Sequence, residues 1–221
     1  QAAPDDPAMV RLMEESLALE NQFARICDSR TPTDADLELL QRAIDTQREW
    51  LRATNSTDAE QERRAAALEA LHEDVWQRHA GAASTAAESA GREALAAGKR
   101  AEGLRQLRSA LELQQRINQR RRAAEGRDLS RETGLSQEIE RLESEPLGAE
   151  LAEVTARADA LRDANKTAEA LAAYGRALEL QQRLNREFSR TQFASLSRQM
   201  RLEEELATLE TAGTAAEVLA L

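Results

Sequence analysis

Residues 101–120 (AEGLRQLRSALELQQRINQR) and 168–187 (AEALAAYGRALELQQRLNRE) agree at 11 of 20 positions, at a spacing of 67. The only two lysines, Lys99 and Lys166, obey the same spacing. A further 67 residues back, Leu37, Leu40, Ala43, Ile44 and Gln47 match Leu104, Leu107, Ala110, Leu111 and Gln114. Downstream, Leu129, Ser130, Arg131, Leu135, Glu138, Leu142 and Glu143 match Leu196, Ser197, Arg198, Leu202, Glu205, Leu209 and Glu210. Leu68 and Val75 are the earlier counterparts of Leu135 and Leu142, and Gly81 matches Gly148. A chain that copies a short segment must bury the oily side of each copy against its neighbours, because one copy cannot close a core alone. The reading is therefore a leader and helix start at 1–13, units at 14–80, 81–147 and 148–214, and the start of a fourth unit or a cap at 215–221.

Each unit reads as about three helices. In the third, Leu151, Val154, Ala158 and Leu161 form one helical stripe. Asn165 is suited to the left-handed geometry that stops a helix, and Thr167 to capping the next. Leu171, Tyr174, Ala177, Leu178 and Leu184 give a second stripe, and Phe193, Leu196, Met200, Leu206 and Leu209 a third. A break is expected near 188–192, as it is at Gly126 in the second unit and at Asn55-Ser56-Thr57-Asp58 in the first. Pro146 followed by Gly148 reads as a helix stop between units. Only 3% of residues are aromatic, and Ala, Leu, Glu, Arg and Gln dominate, so no strand is expected.

The small residues at fixed places make the first two helices of each unit resemble a tetratricopeptide repeat. The third unit supplies Ala158, Leu161, Asn165, Ala170, Tyr174, Ala177 and Leu178; the second Gly91, Ala94, Gly98, Gly103, Leu107, Ala110 and Leu111. The first is degenerate, with Ala24, Cys27, Leu37, Leu40, Ala43 and Ile44. The sequence departs from the family in three ways. Val154 and Ala87 replace its early Trp, Gln182 and Gln115 replace its closing Pro, and the period is 67 rather than about 34. The resemblance implies an all-α, TPR-like α-solenoid that presents a concave face to a protein or peptide ligand.

The net charge of −10 disfavours nucleic acid and anionic membranes as general partners. The charge is uneven: −8 over 1–80, +5 over 81–127 and −7 over 128–221. Arg116, Arg120, Arg121 and Arg122 form the sharpest cluster, and guanidinium forks suit carboxylates, so an acidic partner fits it. Trp50 falls with Ile117 and Leu184 and reads as packed; Trp76 falls with Glu143 and Glu210 and reads as outward, a candidate protein contact.

Chemistry is sparse. His72 and His79 lie on one helix face, but Trp76 stands where a His-Glu-x-x-His motif needs histidine. Cys27 reads as a core residue, and the 9 glycines form no phosphate loop. No catalytic, cofactor or metal residue is expected, and the chain reads as a non-catalytic binding scaffold. A sensor or regulatory segment of a larger protein and an elongated coiled-coil-like rod are the alternatives. The polar start, Gln-Ala-Ala-Pro-Asp-Asp-Pro, suits residues just after a cleaved secretory signal peptide, so a periplasmic or secreted location in a bacterial envelope is expected, with the cytoplasm as the alternative. No apolar run reaches the roughly 18 residues of a membrane span.

Overall fold

The computed structural model describes residues 3–121 and 126–219, apart from the side chains of Asp34 and of 213–219. Among the described residues seven α-helices and no strand occur: α1 (Pro7–Ser29), α2 (Asp34–Thr54), α3 (Ala59–Ala96), α4 (Arg100–Arg120), α5 (Leu129–Asp163), α6 (Thr167–Glu187) and α7 (Leu196–Leu219). None of these helices is long and apolar enough to cross a membrane.

The helix ends keep the repeat. Helices α4 and α6 both begin and end 67 residues apart, α3 and α5 end 67 apart, and α5 and α7 begin 67 apart. The turns explain the regularity. After α2, α3 and α5, a residue in left-handed geometry (Asn55, Gly98, Asn165) closes the helix. At each, the two following amides fold back the same way: Gly98 N to the Leu95 carbonyl and Lys99 N to Ala94, Asn165 to Arg162 and Lys166 to Leu161, Asn55 to Arg52 and Ser56 to Leu51. Helices α3, α5 and α7 begin with side-chain caps. Asp58 accepts from Glu60 N, Asp128 from Arg131 N, and Ser195 from Arg198 N. Thr167 is itself the first helical residue, and Lys166 stands at the cap without a capping bond, its ammonium paired instead with Glu169 at 3.2 Å.

Seven helices replace the expected nine because the joins at 80/81 and 147/148 are not breaks. Helix α3 runs for 38 residues through the first, and α5 for 35 through the second. Pro146 lies inside α5 on its exposed side. It removes one backbone bond, but buried Leu142, Gly148 and Leu151 on either side hold the rod in place. The breaks expected between second and third helices are present, at 55–58, around 126–128 and at 188–195. The continuity that a coiled-coil-like rod required there is interrupted.

The chain divides into two compact units, 1–89 with 112–127, and 90–111 with 128–221. In the first, Phe23, Leu37, Leu40, Ile44, Leu68 and Val75 form one cluster, and Trp50, Leu51 and Ala65 another. In the second, Leu151, Ala158, Tyr174, Ala177, Leu180, Leu184 and Leu202 form the core. Burial follows the repeat: Leu40, Leu107 and Tyr174 are enclosed, as are Ala43, Ala110 and Ala177, then Gln47, Gln114 and Gln181, then Trp50, Ile117 and Leu184. Each enclosed Leu contributes about 2 kcal/mol. Alanine at the crossing keeps the paired helices close.

The first unit departs from the third by one residue. Helix α1 buries Ser16, Leu19 and Phe23, whereas α5 buries Leu151 and Ala158 with Val154 packed beside them, so the faces correspond at 135 rather than 134. The cause is the turn 30–33, one residue longer than 97–99 and 164–166. An ion pair and a capping box fill it: Asp36 accepts from Thr33 N at 2.7 Å and from Arg30 at 2.6 Å. Arg30 and Thr33 together hold the Asp36 carboxyl far below the usual carboxylate range. The slip corrects the expectation for Cys27, which is exposed; Ile26 takes the position of Ala94 and Leu161.

Gly91 and Gly103 bring two helix backbones close together in the second unit. A Cβ on Gly103 would lie 2.6 Å from Leu95 Cγ and 2.9 Å from the Gly91 carbonyl oxygen. A Cβ on Gly175 would meet nothing within 4 Å. Gly103→Ala should therefore cost about 1–3 kcal/mol of stability. Gly175→Ala, inside α6, should add about 0.5–1 kcal/mol. Thermal unfolding of the two variants checks both signs.

Candidate functional site

The arginine cluster predicted from sequence assembles around Trp76. Turn by turn, α3 carries Glu69, Glu73, Trp76 and Gln77, and the last turn of α4 carries Arg116 and Arg120. Trp76 is half-buried against the cluster of Phe23, Leu37, Leu40, Ile44, Leu68 and Val75. The Arg120 guanidinium stacks 3.8 Å from the Trp76 ring centroid, and Arg116 stands at 6.0 Å. Arg120 also pairs with Glu73 at 3.6 Å. Arg121 donates to Gln77 Oε1 at 3.2 Å and to the Gly126 carbonyl. Arg122 lies outside the described residues. Glu69, on the same α3 face, is taken by Arg48 at 2.8 Å. A cavity of 780 Å³ opens beside Glu69, Glu73, Gln77, Arg120 and Arg121. Trp76 is thus half-buried with Arg120 stacked on its ring, and Arg120 and Arg121 both have partners within their own chain. Arg116 is exposed, on the side of the Trp76 ring.

His72 sits one turn from Trp76 and is half-buried. Burial pushes its pKa below the ordinary imidazole value, and the Arg120 charge pushes the same way, against a smaller opposite pull from Glu73. No group of three or more His, Cys, Asp or Glu that could hold a metal occurs among the described residues.

The second unit contains a feature that no charge pattern pointed to. A groove of 410 Å³ runs between α5 and α7. Gly148, Leu151, Ala152, Thr155, Ala156 and Asp159 line it from α5; Arg198, Arg201, Leu202 and Glu205 from α7; Phe193 and Tyr174 complete it. Its floor is apolar: Leu151 and Leu202 are buried, and the Phe193 ring fills the place where a Cβ on Gly148 would stand, 2.3 Å from Cδ1. The 188–195 turn that presents Phe193 is tied down by α6. Gln181 donates to the Phe193 carbonyl at 3.0 Å, and Asn185 Oδ1 accepts from Ser195 N at 2.6 Å.

At the far end the polar groups are satisfied internally. The Tyr174 hydroxyl donates to Asp159 Oδ1 at 2.5 Å. Its burial, with the Asp159 carboxylate beside it, pushes its pKa up to about 12, so it remains a neutral donor at physiological pH. Arg162 pairs with Glu205 at 3.1 Å, Asp163 at 3.1 Å and Asp159 at 3.8 Å, and the Glu205 and Asp163 carboxylates raise the guanidinium pKa further. Tyr174 was assigned to the core from sequence; its exposed neighbours Ala152 and Ala156, one turn apart on α5, were the legible sign of a channel. Compared with protein-family models, curated proteins and solved structures, the chain matches none.

The neutral form of His72 is the one the fold favours. Stability from this group is complete above pH 6.5 and declines as the pH falls through the lowered folded value. Thermal unfolding at pH 5 should therefore show a loss relative to pH 8 that His72→Asn reduces. Arg120→Gln should move the His72 titration upward in an NMR pH series, because one repelling charge is gone.

Proposed function

We propose that this chain is a tetratricopeptide-like helical-repeat scaffold of three units, 14–80, 81–147 and 148–214, which binds protein or peptide and performs no catalysis of its own. The observation that carries the reading is the α5–α7 groove, with an apolar floor of Leu151, Leu202 and Phe193 under polar rims. Ligand sites combine an apolar surface with a few fixed polar groups in this way. The recurrence of enclosed residues at 67-residue steps supports the repeat, since a scaffold of copied helices varies its exposed positions while its seams stay constant.

The arginines around Trp76 take a lesser part in this reading. Arg120 and Arg121 are engaged within their own chain, and among the described residues of that cluster Arg116 is the exposed cation left to meet an acidic partner.

Selection of random displayed peptides on the full chain tests the proposal. Binders are expected that compete with one another and are lost on Ala156→Trp, which fills the groove from an exposed position without touching the core. The variant should melt with the natural chain. Failure to obtain any binder sensitive to Ala156→Trp would sink the reading.

A further inference from the structure

Arg64 and Arg198 occupy the same repeat position, 134 residues apart, as do Gln47 and Gln181. Both arginines use their shared glutamine. Arg64 Nη1 donates to Gln47 Oε1, and Arg198 Nη1 donates to Gln181 Oε1 at 3.3 Å. Beyond that bond the two differ. The second arm of Arg64 reaches Glu20 at 2.7 Å and Ser16 Oγ at 3.2 Å, and its side chain is only 17% exposed.

With the one-residue slip of α1, the counterpart of Glu20 is Thr155. That residue is uncharged, and its hydroxyl is donated to the Leu151 carbonyl of its own helix at 2.7 Å. Among the described residues Arg198 has no carboxylate partner, and neither has Arg201 one turn further along α7; both line the groove. No acidic residue lies one turn before or after Arg198 in sequence: the positions are Ala194, Ser195, Arg201 and Leu202. The two carboxylates that do line the groove, Asp159 and Glu205, are held by Tyr174 and Arg162. One end of the groove is thus neutralised, and the other is cationic and open.

We propose that the α5–α7 groove takes a peptide segment that offers an internal glutamate or aspartate side chain to Arg198. The ligand would supply in trans the ion pair that Glu20 supplies to Arg64 within the chain. Arg201 adds to the attraction, and Leu151, Leu202 and Phe193 receive the apolar side chains that flank the acid. The proposal rests on the peptide-binding reading above and names the chemistry of its ligand. A charged bond of this kind in a half-enclosed groove is worth about tenfold or more in affinity.

The experiment uses peptides displayed from a fused C-terminus, so that no terminal carboxylate is offered, and selected on the full chain. Binders should carry an acidic residue whose replacement by its amide weakens binding to the natural chain by about tenfold, and leaves binding to the Arg198→Gln chain unchanged. Thr155→Glu, which restores the Glu20 arrangement in cis, should weaken the same peptides to a similar degree, and thermal unfolding confirms that each variant is folded. Binders that are lost on Ala156→Trp yet indifferent to the acid, to Arg198→Gln and to Thr155→Glu would overturn the carboxylate proposal and leave the groove reading standing. An absence of groove-dependent binders would overturn both.

Discussion

The fold depends on how closely a long helix can lie against a short one. At these crossings the chain places alanine or glycine: Ala158 and Ala170 are fully enclosed in the second unit, and Gly91 and Gly103 bring their backbones to the limit of contact. Small residues cost hydrophobic area, and larger neighbours recover it. Leu40, Leu107 and Tyr174 fill the space just beyond, and Gln47, Gln114 and Gln181 follow two turns later. A buried glutamine is expensive unless its amide is fully bonded, and Gln181 meets that demand through Asn185, Phe193 and Arg198. The same bonds that pay for burial fix the 188–195 turn, and so place Phe193 on the groove floor.

Much of this was legible in the sequence where local chemistry acts alone. Gly98, Asn165 and the Asn55 turn stop helices because their backbones accept left-handed geometry, which needs no knowledge of the rest of the fold. The alternation of enclosed and exposed positions on α4 and α6 followed from a spacing of three and four. Illegible were the features decided by packing at a distance. Pro146 carries a local stop signal, overridden by apolar contacts on both sides of it. The slip of α1 arises from one extra residue in a turn whose length matters only once α1 and α2 are packed.

The arginine cluster shows the same boundary for a site. Four basic residues within seven positions are visible in sequence, but their partners are not: Glu73 and Trp76 lie more than forty residues away along the chain and reach Arg120 only in the folded unit. Conversely, Arg198 looks ordinary among the basic residues of the third unit. It becomes distinctive beside Arg64, whose carboxylate partner comes from a different helix.

Helices α3 and α5 pass unbroken through the joins between copies. That continuity governs how such a gene can change length. One residue inserted within either rod would rotate everything beyond it by about 100° and turn its oily stripe toward solvent. An insertion of a whole copy would restore the phase, and a single residue can be absorbed only where the chain already bends, as between α1 and α2. The chain can therefore vary freely in its turns, while the interiors of its rods stay locked in length.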